Sequence, residues 1–197
     1  GMYYLAFNMR DGKFPMNTYE FRQAMDIVID KEFVVNNVLG GVVFPMYSTM
    51  PPGNGFWHKE VDTPYVGLSR EERVNLAVQV LTDAGWSWDT PPAWNEDTQD
   101  VDPGVGIKGP GGQEVPEITI LGPGPAYDPL RATFNQWISE WGRELGFPMQ
   151  SELTGFNTIL GPVFVDASFD MYILGWSLGN VAFPSYFYDF WHSSQDT

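Results

Sequence analysis

Phe169-Asp170-Met171-Tyr172-Ile173-Leu174-Gly175-Trp176 is the strongest strand signal in the chain, dense in aromatic, β-branched and long apolar side chains. It runs straight into Ser177-Leu178-Gly179, a turn-forming segment, so the strand ends on a tryptophan beside an open loop. Three more strands are predicted, over Tyr3 to Met9, Glu117 to Leu121 and Phe147 to Leu153. Helices fall between them. Asn17 reads as an N-cap with Glu20 closing a capping box. Phe21, Ala24, Met25, Val28 and Ile29 then share one face of a helix that runs to about Leu39 and stops at Gly40-Gly41. Ser69 and Glu72 form a second box before the stripe Val74, Ala77, Val78 and Leu81, with a stop at Gly85. Asp128-Pro129 opens a third helix, with Leu130, Phe134, Trp137, Ile138, Trp141 and Leu145 turned inward and Gly146 as its end. A short broken helix is expected over Asn157 to Val165, and a last one after Pro184. Phe44 to Gly67 and residues 87 to 116 read as loops, the second with one short hairpin. Strands alternating with helices predict an α/β fold, a mixed sheet flanked by helices, in a single domain over residues 1–197.

Composition narrows the function. The net charge is −15, which repels a phosphate backbone and an anionic membrane surface, so neither nucleic acid nor membrane docking is expected. The absence of cysteine excludes disulfides, thiolate chemistry and cysteine zinc sites. His58 and His192 form no HExxH or i, i+4 pair, so no histidine metal site is expected, and no cofactor is implied. No apolar run is long enough to cross a bilayer. Gly1-Met2 leads at once into a strand, which reads as a segment of a longer protein whose targeting signal lies elsewhere.

Three features could carry chemistry. Gly175-Trp176-Ser177-Leu178-Gly179 fits the G-x-S-x-G elbow of α/β-hydrolases, in which a serine sits on a tight strand-to-helix turn. That elbow needs an acid and a histidine later in the chain. Only Asp189, His192 and Asp196 follow, too close to Ser177 for the intervening elements. The hydrolase is therefore the second reading, and a free-standing carbohydrate-binding module, which would be mostly β, the third. Asp97, Asp100, Asp102 and Gly104 resemble a calcium loop, but the twelfth place counted from Asp97 is Lys108 and from Asp100 is Gly111, where a bidentate Glu belongs. A solvated acidic loop is expected there. Phe56, Trp57, Trp86, Trp88, Trp94 and Trp176 sit at loops or element ends, where rings either cap the core or stack on a ligand. Trp176 is the best ligand contact, because ligands gather at the carboxyl ends of strands in open α/β sheets.

Five blocks, in order, resemble extracellular solute-binding protein family 5, the binding proteins of oligopeptide, dipeptide and nickel ABC importers. They are Phe7-Asn8 followed by the helix from Phe21-Arg22-Gln23-Ala24-Met25 to Ile29-Asp30-Lys31; Gly41-Val42-Val43-Phe44-Pro45 leading to Met50-Pro51-Pro52; and Ala77 to Trp86. Pro116 to Ile120 with the helix ending Glu144-Leu145-Gly146-Phe147 is the fourth, and Phe169-Asp170 through Gly175-Trp176 the fifth. The resemblance implies one lobe of a class-II-like bilobal periplasmic binding protein, most of its second lobe. It implies no enzyme, an extracytoplasmic site (periplasmic or lipid-anchored), a monomer, a small-molecule solute and a transmembrane permease as partner.

The ligand position departs from the family's peptide binders. They place an Asp three residues after the Trp, to hold the peptide's amino group; that place is Gly179 here. The Asp-Pro further on is Phe183-Pro184, and the Arg that some carry three residues before the Trp is Ile173. A buried ammonium without its partner costs several kcal/mol, on the order of 3–5. Ligand contacts are expected at Trp176, Ser177 and Gly179, with a neutral oligosaccharide favoured over a free peptide.

Overall fold

Four strands of alternating side chains build one mixed sheet. The computed structural model describes residues 1–178 and 183–195. In chain order the elements are β1 (Met2–Phe7), α1 (Tyr19–Val28), α2 (Lys31–Phe33), α3 (Arg70–Asp83), β2 (Ala93–Asn95), β3 (Asp100–Asp102), β4 (Lys108–Gly109) and β5 (Gln113–Glu114). There follow β6 (Ile118–Pro123), α4 (Pro129–Glu144), β7 (Met149–Thr154), α5 (Phe156–Leu160), β8 (Met171–Trp176) and α6 (Tyr186–Trp191). The main sheet has the order β1-β8-β6-β7, with β6 parallel to both neighbours and β1 antiparallel to β8. The expected α/β architecture, a mixed sheet flanked by helices, is what forms.

Period-two alternation divides the sheet into two faces. Ile118, Ile120, Met171 and Ile173 point into the larger core with α1, α3 and α4. Leu121 and Leu174 point the other way, against Ile159 of α5 and Val163 of the π-helical turn Gly161–Val165, with Tyr4 and Tyr172 packed alongside. Helix α4 comes close to β7 because residue 142 is Gly: a methyl there would collide with the Met149 sulfur.

Polar staples fix the sheet at its lower end. Asn8, 1% exposed, donates from Nδ2 to the Ala167 and Phe169 carbonyls at 2.9 and 2.8 Å, while its backbone N–H bonds to Asp170. Asp170 accepts from the Thr119 N–H at 3.1 Å and pairs with Lys13. On the helical side, Arg73 and Arg70 cap the end of α1, donating to the Ile27 and Val28 carbonyls at 2.9 and 2.8 Å. Arg70 also pairs with Glu144 and lies over the Trp141 ring.

Several expectations need correction. The Ser69–Glu72 capping box forms in full, but Asn17 and Glu20 make none. The N-cap is Thr18, which puts Glu20 at the second helical position, and Arg22 instead bonds the Met16 and Thr18 carbonyls. The helix expected to run to about Leu39 is interrupted after Val28, because Ile29 and Asp30 leave helical geometry; the Asp30 side chain caps a new start at the Phe33 N–H, and helical turns continue to Val38. The loop 44–67 contains a 3-10 turn, Pro52–Trp57, and residues 87–116 hold two hairpins, β2–β3 and β4–β5. On α4, Leu130, Phe134 and Trp137 are only half-buried; Ala132, Asn135, Ser139 and Gly142 take the inward places beside Ile138 and Trp141. Small residues there allow the close approach to β6 and β7.

Removing the Asn8 amide leaves two part-buried carbonyls without its hydrogen bonds. Asn8→Ala is expected to lower unfolding stability by about 2 kcal/mol, against no more than about 0.5 kcal/mol for the exposed Val165→Ala. Urea unfolding followed by tryptophan fluorescence measures both, and equal midpoints would refute the stapling role.

Candidate functional site

Strands β6, β7 and β8 end on one edge of the sheet, and antiparallel β1 begins there, Met2 opposite Trp176. The alternation on β8 sends Trp176 to the face away from α1 and α4. Its indole Nε1 donates to the Tyr4 hydroxyl at 2.7 Å, and its ring lies 4.5 Å from Phe190 of α6 and 6.5 Å from Phe164. The residue remains 37% exposed, so its orientation is fixed while part of the ring meets solvent. Burial, and then Tyr172, raise the Tyr4 hydroxyl above its ordinary value, with the Trp176 hydrogen bond and the Arg131 charge acting the other way. It is a neutral acceptor at physiological pH. Gly175 is required beside it, since a methyl there would strike the Tyr3 ring.

The loop from β6 into α4 supplies the other side of the edge. Asp128 caps α4, accepting the Arg131 N–H at 2.9 Å on Oδ1. Its Oδ2 accepts Arg131 Nε at 2.8 Å and the Tyr3 hydroxyl at 3.3 Å. The Arg131 guanidinium lies over the rings of Tyr3 and Tyr127, at 5.3 and 5.7 Å, and Tyr127 stacks on Phe156 at 5.1 Å. Burial pulls the Asp128 carboxyl upward; the Arg131 N–H, side-chain hydrogen bond and charge, with the Tyr3 hydroxyl, outweigh it and hold the group below the usual carboxylate value. The edge is thus an aromatic rim carrying one neutralised ion pair.

Of the residues expected to touch ligand, Trp176 and exposed Ser177 stand on this edge, and Gly179 lies outside the described residues. Ile173 is buried in the larger core, on the opposite face from Trp176. Among the loop aromatics, Trp86, Trp88 and Trp94 seal the core, Trp88 with its Nε1 on the Leu145 carbonyl, whereas Phe56 and Trp57 are exposed. The acidic segment is spread along the β2–β3 hairpin, with Asp97 in its turn and Asp100 and Asp102 on β3, where Asn95 donates to Asp102. The hydrolase reading is not supported. Ser177 and Leu178 are non-helical where an elbow starts a helix, and His192 Nδ1 is engaged with Ser194 Oγ at 2.8 Å. Tyr4, Tyr127 and Arg131 escaped the sequence reading, although the Asp128–Arg131 spacing of three on a helix start was the available signal.

The five sequence blocks can now be read physically: Asn8, Arg22, Asp30 and Asp170 are staples and caps. All 197 residues, 1–197, match the model of bacterial extracellular solute-binding proteins, family 5 Middle. The chain belongs to that family. Family 5 consists of binding proteins rather than enzymes. The oligopeptide-binding protein AppA of Bacillus subtilis is 25% identical over 195 residues, 98% of this chain and 31% of AppA. Its structure in complex with a nonapeptide matches with TM-score 0.73 at 23% identity, covering 99% of this chain and 34% of that one. The Escherichia coli murein tripeptide binding protein MppA matches with TM-score 0.68 at 20% identity, over 98% of this chain and 32% of MppA. Campylobacter jejuni NikZ in complex with Ni(L-His) matches with TM-score 0.60 at 19% identity, over 89% and 29%. The family 5 chain spans about a third of the length of these relatives. No helix among the described residues is long and apolar enough to cross a membrane.

Two outcomes are expected. Ser177 has no base hydrogen-bonded to it among the described residues, so a fluorophosphonate probe should leave it unlabelled; stoichiometric labelling lost in Ser177→Ala would restore the hydrolase. Asp128 has a depressed folded-state value, so its stabilisation is present above the unfolded carboxylate value, about 3.9, and is lost as pH falls through the folded one. Asp128→Asn keeps a capping side chain. Its urea midpoint should therefore lie below the parent's near neutrality and converge on it in acid; a constant gap across the acid range would contradict the assignment.

Proposed function

We propose that these residues are most of the second lobe of a two-lobed binding protein that captures a solute outside the cytoplasm and delivers it, as a monomer, to the permease of an ABC-type importer. Membership of family 5 supports this, as does the similarity to AppA, an oligopeptide-binding protein. The observation that carries the reading is the indole of Trp176, pinned by Tyr4 and half-open at the carboxyl edge of a central strand. Trp176, Ser177 and Gly179 contact the solute in this reading, and the other lobe closes over it.

The solute class follows from charge. Residue 179 is Gly, so a free ammonium placed against it is desolvated without a partner. Asp128 and Arg131 already neutralise each other. Against that rim a neutral oligosaccharide is favoured over a free peptide: the apolar face of a sugar ring stacks on indole, and its hydroxyls need no counter-charge.

A thermal-shift screen of the full-length protein tests this, with neutral glucose oligosaccharides beside di- to pentapeptides and their N-acetylated forms. Stabilisation by oligosaccharides is expected. Stabilisation by peptides alone, lost on N-acetylation, would overturn the solute class.

A further inference from the structure

Helix α6 is six residues long, Tyr186–Trp191, and no side chain caps its start. A helix of that length does not hold its shape in water alone, so its place is set by what it packs on. Tyr186 is 7% exposed, on a segment whose other rings are half-buried or exposed. Its hydroxyl reaches the loop 44–67, 3.3 Å from the Met50 sulfur and 3.5 Å from the Thr49 carbonyl oxygen. Met50 is itself fixed: His58 Nδ1 donates to its carbonyl at 2.7 Å, and Ser48 Oγ accepts its N–H at 3.1 Å. The loop is in turn held to the helical layer. Lys31, paired with Asp26 at 3.1 Å, lies 4.6 Å from the centre of the Tyr47 ring. A second tie runs just before α6, where Phe183 meets the Trp57 ring at 5.6 Å.

The same helix carries a contact with the candidate site. Phe190 follows Tyr186 by one turn, with ring centres 6.2 Å apart, and lies 4.5 Å from the Trp176 indole. The Tyr4 hydroxyl holds that indole at Nε1, and Phe190 is the second restraint on its plane. We propose that Tyr186 is a positioning residue of the solute site: it docks α6 on Thr49-Met50, and Phe190, carried by α6, then sets the tilt of the Trp176 ring. Its bearing on binding rests on the reading of Trp176 as the solute contact. The loop 44–67 thus acts on the site through α6, and His58 serves it by fixing the Met50 carbonyl.

Fluorine NMR of the full-length protein labelled with 5-fluorotryptophan tests the proposal. The Trp176 resonance is the one lost in Trp176→Phe. Tyr186→Ala is expected to shift it by more than its linewidth and to leave the resonances of buried Trp86 and Trp141, assigned in the same way, in place; a general loosening of the fold moves all three. In a Phe190→Ala background, Tyr186→Ala should move the Trp176 resonance no further, and a second shift of equal size overturns the route through Phe190. Met50→Ala removes the sulfur that Tyr186 meets and carries the test if Tyr186→Ala does not fold. A Trp176 resonance unmoved in Tyr186→Ala or, where that variant does not fold, in Met50→Ala overturns the positioning role. Calorimetry with glucose di- to hexasaccharides separates this from the solute reading: Tyr186→Ala is expected to weaken them by about 2- to 10-fold, the cost of immobilising one side chain on binding. A shifted resonance with unchanged sugar affinity overturns Trp176 as the contact for that solute and leaves the placement of its ring standing. Absence of sugar binding by the unsubstituted protein overturns the solute class in the same way.

Discussion

The pairing register of β1 on β8 is the constraint on which the rest of the structure depends, and Asn8 fixes it. Its side-chain amide bonds two carbonyls just before β8, and its N–H bonds a third at Asp170. A strand slipped by one residue turns every side chain to the other face. Tyr4 would then lie against α1 and α4, and Leu5 would stand on the face where Trp176 needs its partner. The donor that prevents this is buried, so leaving its acceptors unmet costs about 1–3 kcal/mol. Asp170 extends the lock to β6 through the Thr119 N–H. Three strands therefore reach the carboxyl edge in one alignment, and the position of the candidate site follows from hydrogen bonds at the opposite end of the sheet.

The two faces then take different tasks. On the helical face, the end of α1 would present unpaired carbonyls to an apolar interior. Arg73 and Arg70, one helical turn apart on α3, supply the donors, and Asp30, Glu32 and Glu144 supply the countercharges. A guanidinium as buried as Arg73 is tolerated because its donors reach the Ile27 and Leu68 carbonyls and its charge faces two carboxylates. This joint binds the α1–α3 layer, and α4 joins it through Arg70. The other face has a smaller cluster around Ile159 and Val163 and many more aromatic edges. Rigidity is concentrated on one side of the sheet, and accessible ring surface on the other.

What the sequence revealed follows from which signals are local. The Ser69–Glu72 box was legible because both partners lie within one turn, and it forms. Asn17–Glu20 had the same spacing, but Thr18 takes the N-cap place and Arg22 donates to the Met16 and Thr18 carbonyls, which no three-residue spacing reveals. The break after Val28 was hidden because Asp30 reads as an ordinary surface residue until Arg73, forty-three positions later, comes to meet it. The strand over Met171–Trp176 was legible from its run of aromatic, β-branched and long apolar side chains, and so was Trp176 at its end. Tyr4 was not, because its role depends on facing Trp176 across a register set by Asn8. Arg131 reads as one polar residue on an amphipathic helix; only the fold shows that it is wedged between Tyr3 and Tyr127.

The rim is also ordered before any solute arrives. Fixing a free side chain on binding costs about 0.5–1.5 kcal/mol for each one immobilised. Trp176 is already held by Tyr4 and Phe190, and Arg131 by Asp128 and two rings, so the fold itself orders both side chains. Long-range forces add little selectivity for an uncharged molecule. A chain carrying −15 draws cations and repels anions over about 10 Å at moderate salt, and acts on a neutral sugar hardly at all. Discrimination must therefore come from contact. The indole of Trp176, locked in orientation by its bond to Tyr4, is a contact surface that requires no charge on whatever packs against it.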